Sequence, residues 1–282
     1  MLVIGLDLMH LKLSPLTRRK LKEALREDVG SGDLTSKVLI ARRSRGKAVI
    51  RAREGGIFCG RAVARELFRR VDPRLKIKCY VRDRARFSKN KVILRVEGSV
   101  RSILAAERTV LNFLGRLSGI ATLTRAFVDR VKKYRVAILD TRKTTPLWRG
   151  FEKYAVRCGG GVNHRLGLHD EIFVKDNHWK AGDLSKLRKY PRGFVIEVRN
   201  ARGLSQALRL SPRVILFDNF SPAALGRAVR SARKADSRVL FEASGGVTLA
   251  NVGRIAATGV DRISVGRLTH SATSIDFSLF LK

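Results

Sequence analysis

The sequence has few acidic residues and few cysteines. Asp and Glu total 24 against 59 Lys and Arg, which gives a formal net charge of +35 at pH 7. The three cysteines, Cys59, Cys79 and Cys158, lie far apart with no C-x-x-C spacing, which argues against a disulfide scaffold and against a zinc-binding motif. We therefore expect free thiols in a reducing compartment and a cytoplasmic location.

The shortage of acidic residues leaves a chain that would attract nucleic acid, membrane surfaces or anionic substrates. The basic residues occur in short, dispersed groups, such as 18–20, 42–45, 69–70 and 132–133, and aromatic residues make up only 7% of the chain. This pattern favours a generally basic surface with nucleic acid bound nonspecifically if at all. A nucleic-acid-binding protein on an enzyme scaffold stays open as an alternative.

A long apolar run is missing as well. Residues 1–14 are apolar only in short pieces, are interrupted by Asp7 and contain no basic region or small-residue cleavage site. This segment predicts neither a signal peptide nor a membrane span, so we expect no membrane partner. The chain of 282 residues, 44% of them hydrophobic, is long enough to form one large domain or two modest ones.

The sequence contains two styles of pattern. The first part has a helix that begins at Ser14-Pro15, strands near 48–51, 77–81 and 92–96 that alternate apolar and basic residues, and a helix near 61–68. This pattern predicts an α+β unit in which one face of the sheet is exposed to solvent. After a helical pattern over about 105–131, short apolar strands recur between helices, at 136–139, 172–174, 194–198, 214–217, 239–241 and 263–265. Strands that are apolar along their whole length are typical of parallel strands buried on both faces.

Most of these apolar strands end in a polar or glycine-rich turn. In a barrel of alternating strands and helices, the carboxyl ends of the strands form one face, and the active site is built there. The stretch 140–178 concentrates basic side chains around the triple glycine 159–161. Arg forks, Lys ammonium groups and close backbone N–H groups suit a small molecule with several negative charges. The sequence therefore predicts a polyanion pocket at this face.

Ordinary explanations exist for each feature taken alone. The triple glycine fits a flexible loop, His164 a structural hydrogen bond, Arg165 and Lys175 a solvated surface, and 244–246 a simple turn. These alternatives lose ground only because all of the residues coincide with predicted strand ends.

Several motifs together resemble one known family. They are TRKT at 141–144, KYAVR-x-GGG-x-NHR-x-GL at 153–168, K-DNH at 175–178, DN at 218–219, EASGG at 242–246, SVG-x-LTHS at 264–271, DVG-x-GDLT at 28–35, AERT at 106–109 and LSGIAT at 117–122. In this order they resemble the quinolinate phosphoribosyltransferase family, whose members are also called nicotinate-nucleotide pyrophosphorylase (carboxylating). The resemblance covers nearly the whole chain.

The resemblance implies an α/β protein with an N-terminal α+β sandwich-like domain, over 1–116, and an incomplete α/β barrel of TIM-like type, over 117–269. The segment of about 270–282 would return to the first domain. It also implies a glycosyltransferase that joins quinolinate to phosphoribosyl pyrophosphate with decarboxylation, giving nicotinate mononucleotide, pyrophosphate and CO2 for NAD synthesis. Mg2+ would accompany the pyrophosphate donor, with no organic cofactor. A homodimer or a hexamer of dimers with shared active sites is implied too.

Matching motif positions assign roles to individual residues. The resemblance implies Lys143 and Asp218 as catalytic residues, Asp218 also as a candidate Mg2+ ligand. The implied quinolinate-binding residues are Arg108, Thr141, Arg142, His164, Arg165 and Lys175, with Arg108 reaching into a neighbouring subunit. The implied phosphoribosyl-binding residues are Asn219, Ser244, Gly245, Gly246, Gly266, Arg267 and Leu268.

The chain departs from the family pattern at three places. Where the family has Glu-Val-Glu, this chain has Glu197-Val198-Arg199, so the roles of Glu197 and Arg199 are uncertain and an acid has become a base. Arg267 stands where a small residue is common, and the segment between 178 and 194 is shortened. A diverged or inactive relative that binds an anionic heterocycle therefore remains an alternative.

Overall fold

The computed structural model describes residue 11 and residues 13–282. The N-terminal segment on which the absence of a signal peptide was predicted lies mostly outside the described residues. The described residues form two compact units, one of the residues up to 122 together with 272–282, and one of residues 123–271. The limits predicted for two independent domains, 1–116 and 117–269, stay a prediction. In the described part of the chain, no helix combines the length and apolar character that crossing a membrane requires.

The first unit contains an antiparallel sheet with strand order β12-β1-β5-β3 and a separate β2–β4 pair. Its elements are α1 (Pro15–Val29), α2 (Leu34–Leu39), β1 (Arg45–Ala52), β2 (Gly56–Ile57), α3 (Arg61–Val71), β3 (Lys76–Cys79), β4 (Arg86–Phe87), β5 (Val92–Ser99), the first part of α4 (Val100–Val131) and β12 (Phe277–Leu281). The strand at the C-terminal end therefore pairs with β1, far from it in sequence. The short strands β2 and β4 carry no alternation pattern and were not predicted.

Helix α1 illustrates how local signals set the boundaries in this unit. Ser14 has extended backbone geometry, and its hydroxyl accepts a hydrogen bond from the Thr17 N–H at 3.2 Å. Pro15 follows in the first turn, where it costs the helix no hydrogen bond. Gly30 ends the helix with φ of 50°, a conformation that favours glycine. The predicted start of this helix is confirmed.

The second unit is built on six parallel strands in the order β6-β11-β10-β9-β8-β7. Its elements after α4 are β6 (Ala137–Leu139), α5 (Arg149–Cys158), β7 (Ile172–Val174), α6 (Asp176–Ala181), a 3-10 helix (Leu184–Lys189), β8 (Phe194–Val198), α7 (Ala201–Leu208), β9 (Val214–Asp218), α8 (Pro222–Ala235), β10 (Leu240–Ser244), α9 (Val252–Ala256), β11 (Arg262–Ser264) and α10 (Arg267–His270). Each predicted apolar strand is present, shifted by at most a few residues.

The parallel sheet has two edge strands, β6 and β7, so it is an incomplete barrel that does not close. Among the described residues, Val162 alone bridges toward the open side, through a parallel contact with Leu139 of β6. The predicted fold class, an N-terminal sheet domain followed by an incomplete α/β barrel, is confirmed. All five residues of β8 are buried, which explains why it is apolar except for Glu197, at the functional end of the strand.

Candidate active site

A cavity of about 780 Å³ lies at the carboxyl ends of the parallel strands. It is lined by Thr141, Arg142, Lys143, His164, Arg165, Phe173, Lys175, Glu197, Arg199, Leu216, Asp218, Asn219, Ser244, Gly245, Gly246, Val247, Thr248, Ser264, Gly266, Arg267 and His270. All of these residues belong to the second unit. The volume suits a ligand with the size of a small heterocycle and a sugar phosphate.

The cavity brings together most of the predicted site residues. Thirteen of the fifteen residues with a predicted catalytic or binding role line it, all except Arg108 and Leu268, and the uncertain Glu197 and Arg199 line it too. Arg108 lies on α4 in the first unit and is exposed. Leu268 is fully buried, and its backbone N–H donates to the Val265 carbonyl at 3.4 Å. The roles assigned to these two residues stay predictions.

Phe173, on β7, organises the positive side of the cavity. The His164 ring stacks on it, with centroids 5.5 Å apart and planes at 9°. The Arg165 guanidinium lies 4.7 Å and the Lys175 ammonium 4.9 Å from the centre of the same ring, distances at which cations are attracted to an aromatic face. We call the cations Arg142, Arg165 and Lys175, together with the His164 ring, the cationic cluster.

Arg165 is the most confined cation of this cluster. The residue is only 8% exposed, and its NH1 donates to the Glu171 carbonyl at 3.0 Å. Burial lowers the pKa of its guanidinium, the neighbouring Arg142 lowers it further, and Asp170 acts in the opposite direction. Arg142 and Arg165 are therefore close enough to repel each other, and an anion placed between them would relieve that repulsion.

A buried polar network holds the loop that carries the cationic cluster. Asp140, at the end of β6, is fully buried and accepts from Lys153 Nζ at 2.5 Å, from Asn163 Nδ2 at 2.6 Å and from the His164 backbone N–H at 2.8 Å. Lys153 Nζ also donates to the His164 carbonyl at 2.8 Å. Burial raises the pKa of Asp140 and lowers that of Lys153, while their mutual attraction opposes both shifts. These contacts fix where His164 and Arg165 lie.

One ring nitrogen of His164 accepts a hydrogen bond, and the other, Nε2, is buried without one. Its Nδ1 accepts the Arg165 backbone N–H at 2.7 Å, so the ring proton belongs on Nε2. That Nε2 lies 3.4 Å from Glu242 Oε1, a carboxylate with no exposed surface that also accepts a hydrogen bond from Ser264 Oγ. The His164 side chain is only 7% exposed. The geometry therefore favours His164 as a wall of the cavity, held through Nδ1 and facing Glu242 of β10.

A second cluster lies at the ends of β8 and β9. The Arg199 guanidinium contacts three carboxylates: Asp176 at 3.2 Å, Asp218 at 3.5 Å and Glu197 at 3.8 Å. Lys175 lies 3.7 Å from the other oxygen of Glu197. Burial raises the pKa of Glu197, Lys175 and Arg199 lower it, and Asp218 and Asp176 raise it. We call Asp176, Glu197, Arg199 and Asp218 the acid–arginine cluster.

Two glycines form a tight loop after β10. Gly245 and Gly246 have φ of 90° and 58°, a region that side chains other than glycine rarely adopt. A Cβ on Gly245 would collide with the side chain of Asn219 and lie 2.9 Å from its backbone nitrogen. Asn251 Nδ2 donates to the Gly246 carbonyl at 2.9 Å and holds the far side of the loop. Such a loop exposes backbone N–H groups of the kind that bind phosphate.

Lys143 is attached to the turn after β11 and to helix α10. Its backbone carbonyl accepts from Thr269 Oγ1 at 2.8 Å, and its side chain packs over Gly266, where a Cβ would lie 3.1 Å from Lys143 Cδ. Thr141 Oγ1 accepts the Lys143 backbone N–H at 3.0 Å. These contacts connect the loop after β6 to the turn after β11, so that Lys143 and Arg267 line one cavity.

Two sequence profiles of known protein families match the chain. The sequence profile described as quinolinate phosphoribosyl transferase, C-terminal domain, matches residues 120–280, and the profile for the N-terminal domain matches residues 33–118. The chain belongs to the quinolinate phosphoribosyltransferase family.

Relatives and solved structures of this family cover nearly the whole chain. The chain is 39% identical to the probable nicotinate-nucleotide pyrophosphorylase [carboxylating] of Bacillus subtilis, over 96% of this chain and 93% of that protein. It is 39% identical to a quinolinate phosphoribosyltransferase [decarboxylating] of Nicotiana tabacum, over 91% and 79%. The structure of the nicotinate-nucleotide pyrophosphorylase from Francisella tularensis superposes with a TM-score of 0.91 at 37% identity, over 99% and 100%.

Sequence reasoning missed Phe173, Glu242 and His270 as site residues. Phe173 lies in an apolar strand, so its sequence pattern predicts only a position in the core. The contact of its aromatic face with the cations depends on the fold. Glu242 stands inside the motif EASGG, and an acid inside an apolar strand was an available signal. His270 lines the cavity and belongs to the motif at 264–271, but its position in that motif assigned it no role.

The chain's own residues do not fit a resident Mg2+ ion in this cavity. The two carboxylates that line it, Glu197 and Asp218, both contact the Arg199 guanidinium, which places a positive charge where a metal would bind. Across residues 13–282, no group of three or more His, Cys, Asp or Glu side chains is arranged to hold a metal. The expected role of Asp218 as a metal ligand is therefore not supported by the donor set.

Proposed function

We propose that the protein transfers the phosphoribosyl group of phosphoribosyl pyrophosphate to quinolinate with loss of CO2, producing nicotinate mononucleotide and pyrophosphate for NAD synthesis. The observation that supports this most directly is the cationic cluster beside the glycine loop in one cavity of a chain from this family. The C–N bond forms between the pyridine nitrogen and the ribose C1, and the bond from C1 to the pyrophosphate oxygen breaks. The carboxylate beside the nitrogen leaves as CO2, and a proton takes its place.

The cationic cluster suits the two carboxylates of quinolinate. Arg142 and Arg165 offer forked donors, and Lys175 adds a compact charge. Thr141 lines the same region, and His164 shapes its wall. When CO2 leaves, an electron pair remains on the ring carbon, and nearby cations stabilise that negative charge. A monocarboxylate such as nicotinate would leave part of the cluster unpaired, which disfavours its binding.

The remaining sides of the cavity suit the phosphoribosyl donor. The loop of Ser244, Gly245 and Gly246, with Gly266, Arg267 and the backbone of Leu268, would bind phosphate, and Asn219 would bind the ribose. Asp218 would stabilise positive charge that develops at the ribose C1, and Lys143 would lie near both substrates. Mg2+ would enter as part of the donor complex, bound to the pyrophosphate.

We also propose an oligomer, a homodimer or a larger assembly of dimers, in which Arg108 of one subunit completes the cavity of another. Arg108 is exposed on α4 and is therefore accessible to a partner. Mixing two inactive variants tests this. Arg108→Ala and Arg142→Ala should each be inactive, while subunits mixed after unfolding and refolding together should regain part of the activity. Recovery that stays at the background of the separate variants would exclude a shared site.

The main test of the proposed function is a product assay. Purified protein with quinolinate, phosphoribosyl pyrophosphate and Mg2+ should form nicotinate mononucleotide, detected by chromatography, and nicotinate should replace quinolinate poorly. No product at high protein concentration, combined with calorimetric binding of quinolinate, would support the alternative of a diverged relative. The substitution at Arg199 is the observation that motivates that alternative. A cytoplasmic location remains a prediction from the cysteine pattern.

A further inference from the structure

The acid–arginine cluster places one guanidinium among carboxylates from three neighbouring strand ends. Asp176 follows β7, Glu197 lies within β8, and Asp218 ends β9. Arg199, directly after β8, reaches all three, at 3.2, 3.8 and 3.5 Å. A single side chain therefore neutralises part of an acidic group that lines the cavity.

This arrangement bears on how a pyrophosphate group can enter the cavity. Glu197 and Asp218 line the same space as the glycine loop. Carboxylates and pyrophosphate oxygens repel each other when they share a site of low dielectric constant, unless a cation lies between them. A divalent ion is the usual solution for phosphate groups beside carboxylates. Here a guanidinium already occupies the space between the two acids.

We propose that Arg199 is a built-in counter-cation for the pyrophosphate of the donor, and that it lowers the dependence of donor binding and phosphoribosyl transfer on Mg2+. The proposal rests on the proposed function to the extent that it takes phosphoribosyl pyrophosphate as the donor. The proposal gives a role to Arg199, a position at which this chain departs from its family. The guanidinium that disfavours a resident metal thereby becomes part of the mechanism.

The geometry leaves Arg199 free to act in this way. Its side chain is 55% exposed and lines the cavity, so it can turn toward a ligand without breaking a packed core. Two of its three carboxylate contacts are longer than 3.4 Å, which is beyond a strong hydrogen bond. A guanidinium has five N–H donors, so it can hold a phosphate in a bidentate way and still face an acid.

The first experiment titrates Mg2+ in the transfer assay with wild-type protein and three variants. Arg199→Gln removes the charge, Arg199→Lys keeps it as a point charge, and Lys180→Gln is the matched control. Lys180 pairs with the same Asp176, at 3.5 Å, but does not line the cavity. We expect wild type and Lys180→Gln to reach half-maximal rate at an Mg2+ concentration about tenfold lower than Arg199→Gln requires. Arg199→Lys should fall between them.

The second experiment measures binding without turnover. Inorganic pyrophosphate is titrated into each protein by calorimetry in the presence of EDTA, and again with Mg2+. Wild type and Lys180→Gln should bind pyrophosphate without Mg2+, and Arg199→Gln should bind it about tenfold more weakly. With saturating Mg2+ the difference should shrink, because the metal then supplies the positive charge.

The outcomes separate this inference from the proposed function. If all four proteins form product with the same Mg2+ dependence and bind pyrophosphate equally in EDTA, Arg199 is not a counter-cation, while the transferase function stands. If no variant forms nicotinate mononucleotide at any Mg2+ concentration, the proposed function fails. In that case the pyrophosphate titration still decides whether Arg199 binds the anion.

Discussion

The two clusters in the cavity differ in how their charges are held. In the cationic cluster, the charges gather around the face of Phe173, and burial and Arg142 both lower the pKa of Arg165. In the acid–arginine cluster, opposite charges alternate, and Arg199 is shared by three acids. One region gathers like charges that an anion would offset, and in the other the charges largely balance one another. Cations that repel one another favour the binding of an anion, because the anion offsets their repulsion. In a cluster whose charges already balance, a ligand must replace an existing ion-pair partner.

The largest effect should follow from removing the most confined cation. Arg165→Ala should lower kcat/KM for quinolinate roughly 10³-fold, the size expected when one partner of a desolvated charge pair is truncated. Arg165→Lys should recover part of this loss, because it keeps the charge but not the fork. Steady-state kinetics with varied quinolinate measures both. A drop of less than tenfold in Arg165→Ala would mean that the cationic cluster does not hold the dicarboxylate.

The next test concerns the buried polar network of Asp140 and Lys153, which holds the loop that carries the cationic cluster. Asp140→Asn leaves Lys153 buried without its partner and should cost about 3–5 kcal/mol of unfolding free energy, measured by urea denaturation. Glu97→Gln is the control: it removes the exposed contact with Lys47 at 3.9 Å and should cost less than about 1 kcal/mol. Equal losses in the two variants would show that the Asp140 network contributes no more than a surface pair.

The loop beside the acid–arginine cluster should respond more weakly. Gly245→Ala forces a side chain into a backbone with φ of 90° and against Asn219. We expect the KM for phosphoribosyl pyrophosphate to rise about tenfold, matching a strain of about 1–3 kcal/mol. Gly253→Ala, in α9 with open space around its Cβ position, should leave KM unchanged and raise stability by about 1 kcal/mol or less. An unchanged KM in Gly245→Ala would remove this loop from the donor site.

The smallest effect concerns the pH dependence of stability. Burial raises the folded-state pKa of Glu197 above its usual 4.5. The protonated form therefore stabilises the fold fully below the unfolded-state pKa, and this contribution is lost as pH rises through the folded-state value. Glu197→Gln should match the wild-type Tm in acid and exceed it slightly at neutral pH. A lower Tm than wild type at neutral pH would instead show that the contacts with Lys175 and Arg199 outweigh burial.

The sequence by itself determined the fold class and most of the cavity. The fully apolar strands predicted parallel pairing, and the turns after them predicted where Arg142, Lys175 and Asp218 would converge. This succeeded because the carboxyl ends of parallel strands must share a face, whatever the details of packing. The match to family motifs then predicted roles for thirteen of the residues that line the cavity.

Only the tertiary structure decided which partners these residues have. Nothing in the sequence shows that Phe173 lies beneath three members of the cationic cluster, that Glu242 lies behind His164, or that Arg199 contacts three acids at once. These contacts join residues from different strands, and their distances depend on strand register and on the curvature of the open sheet. Hydrophobic pattern fixes which side of a strand is buried, but the pairing of charges across strands follows from the assembled fold.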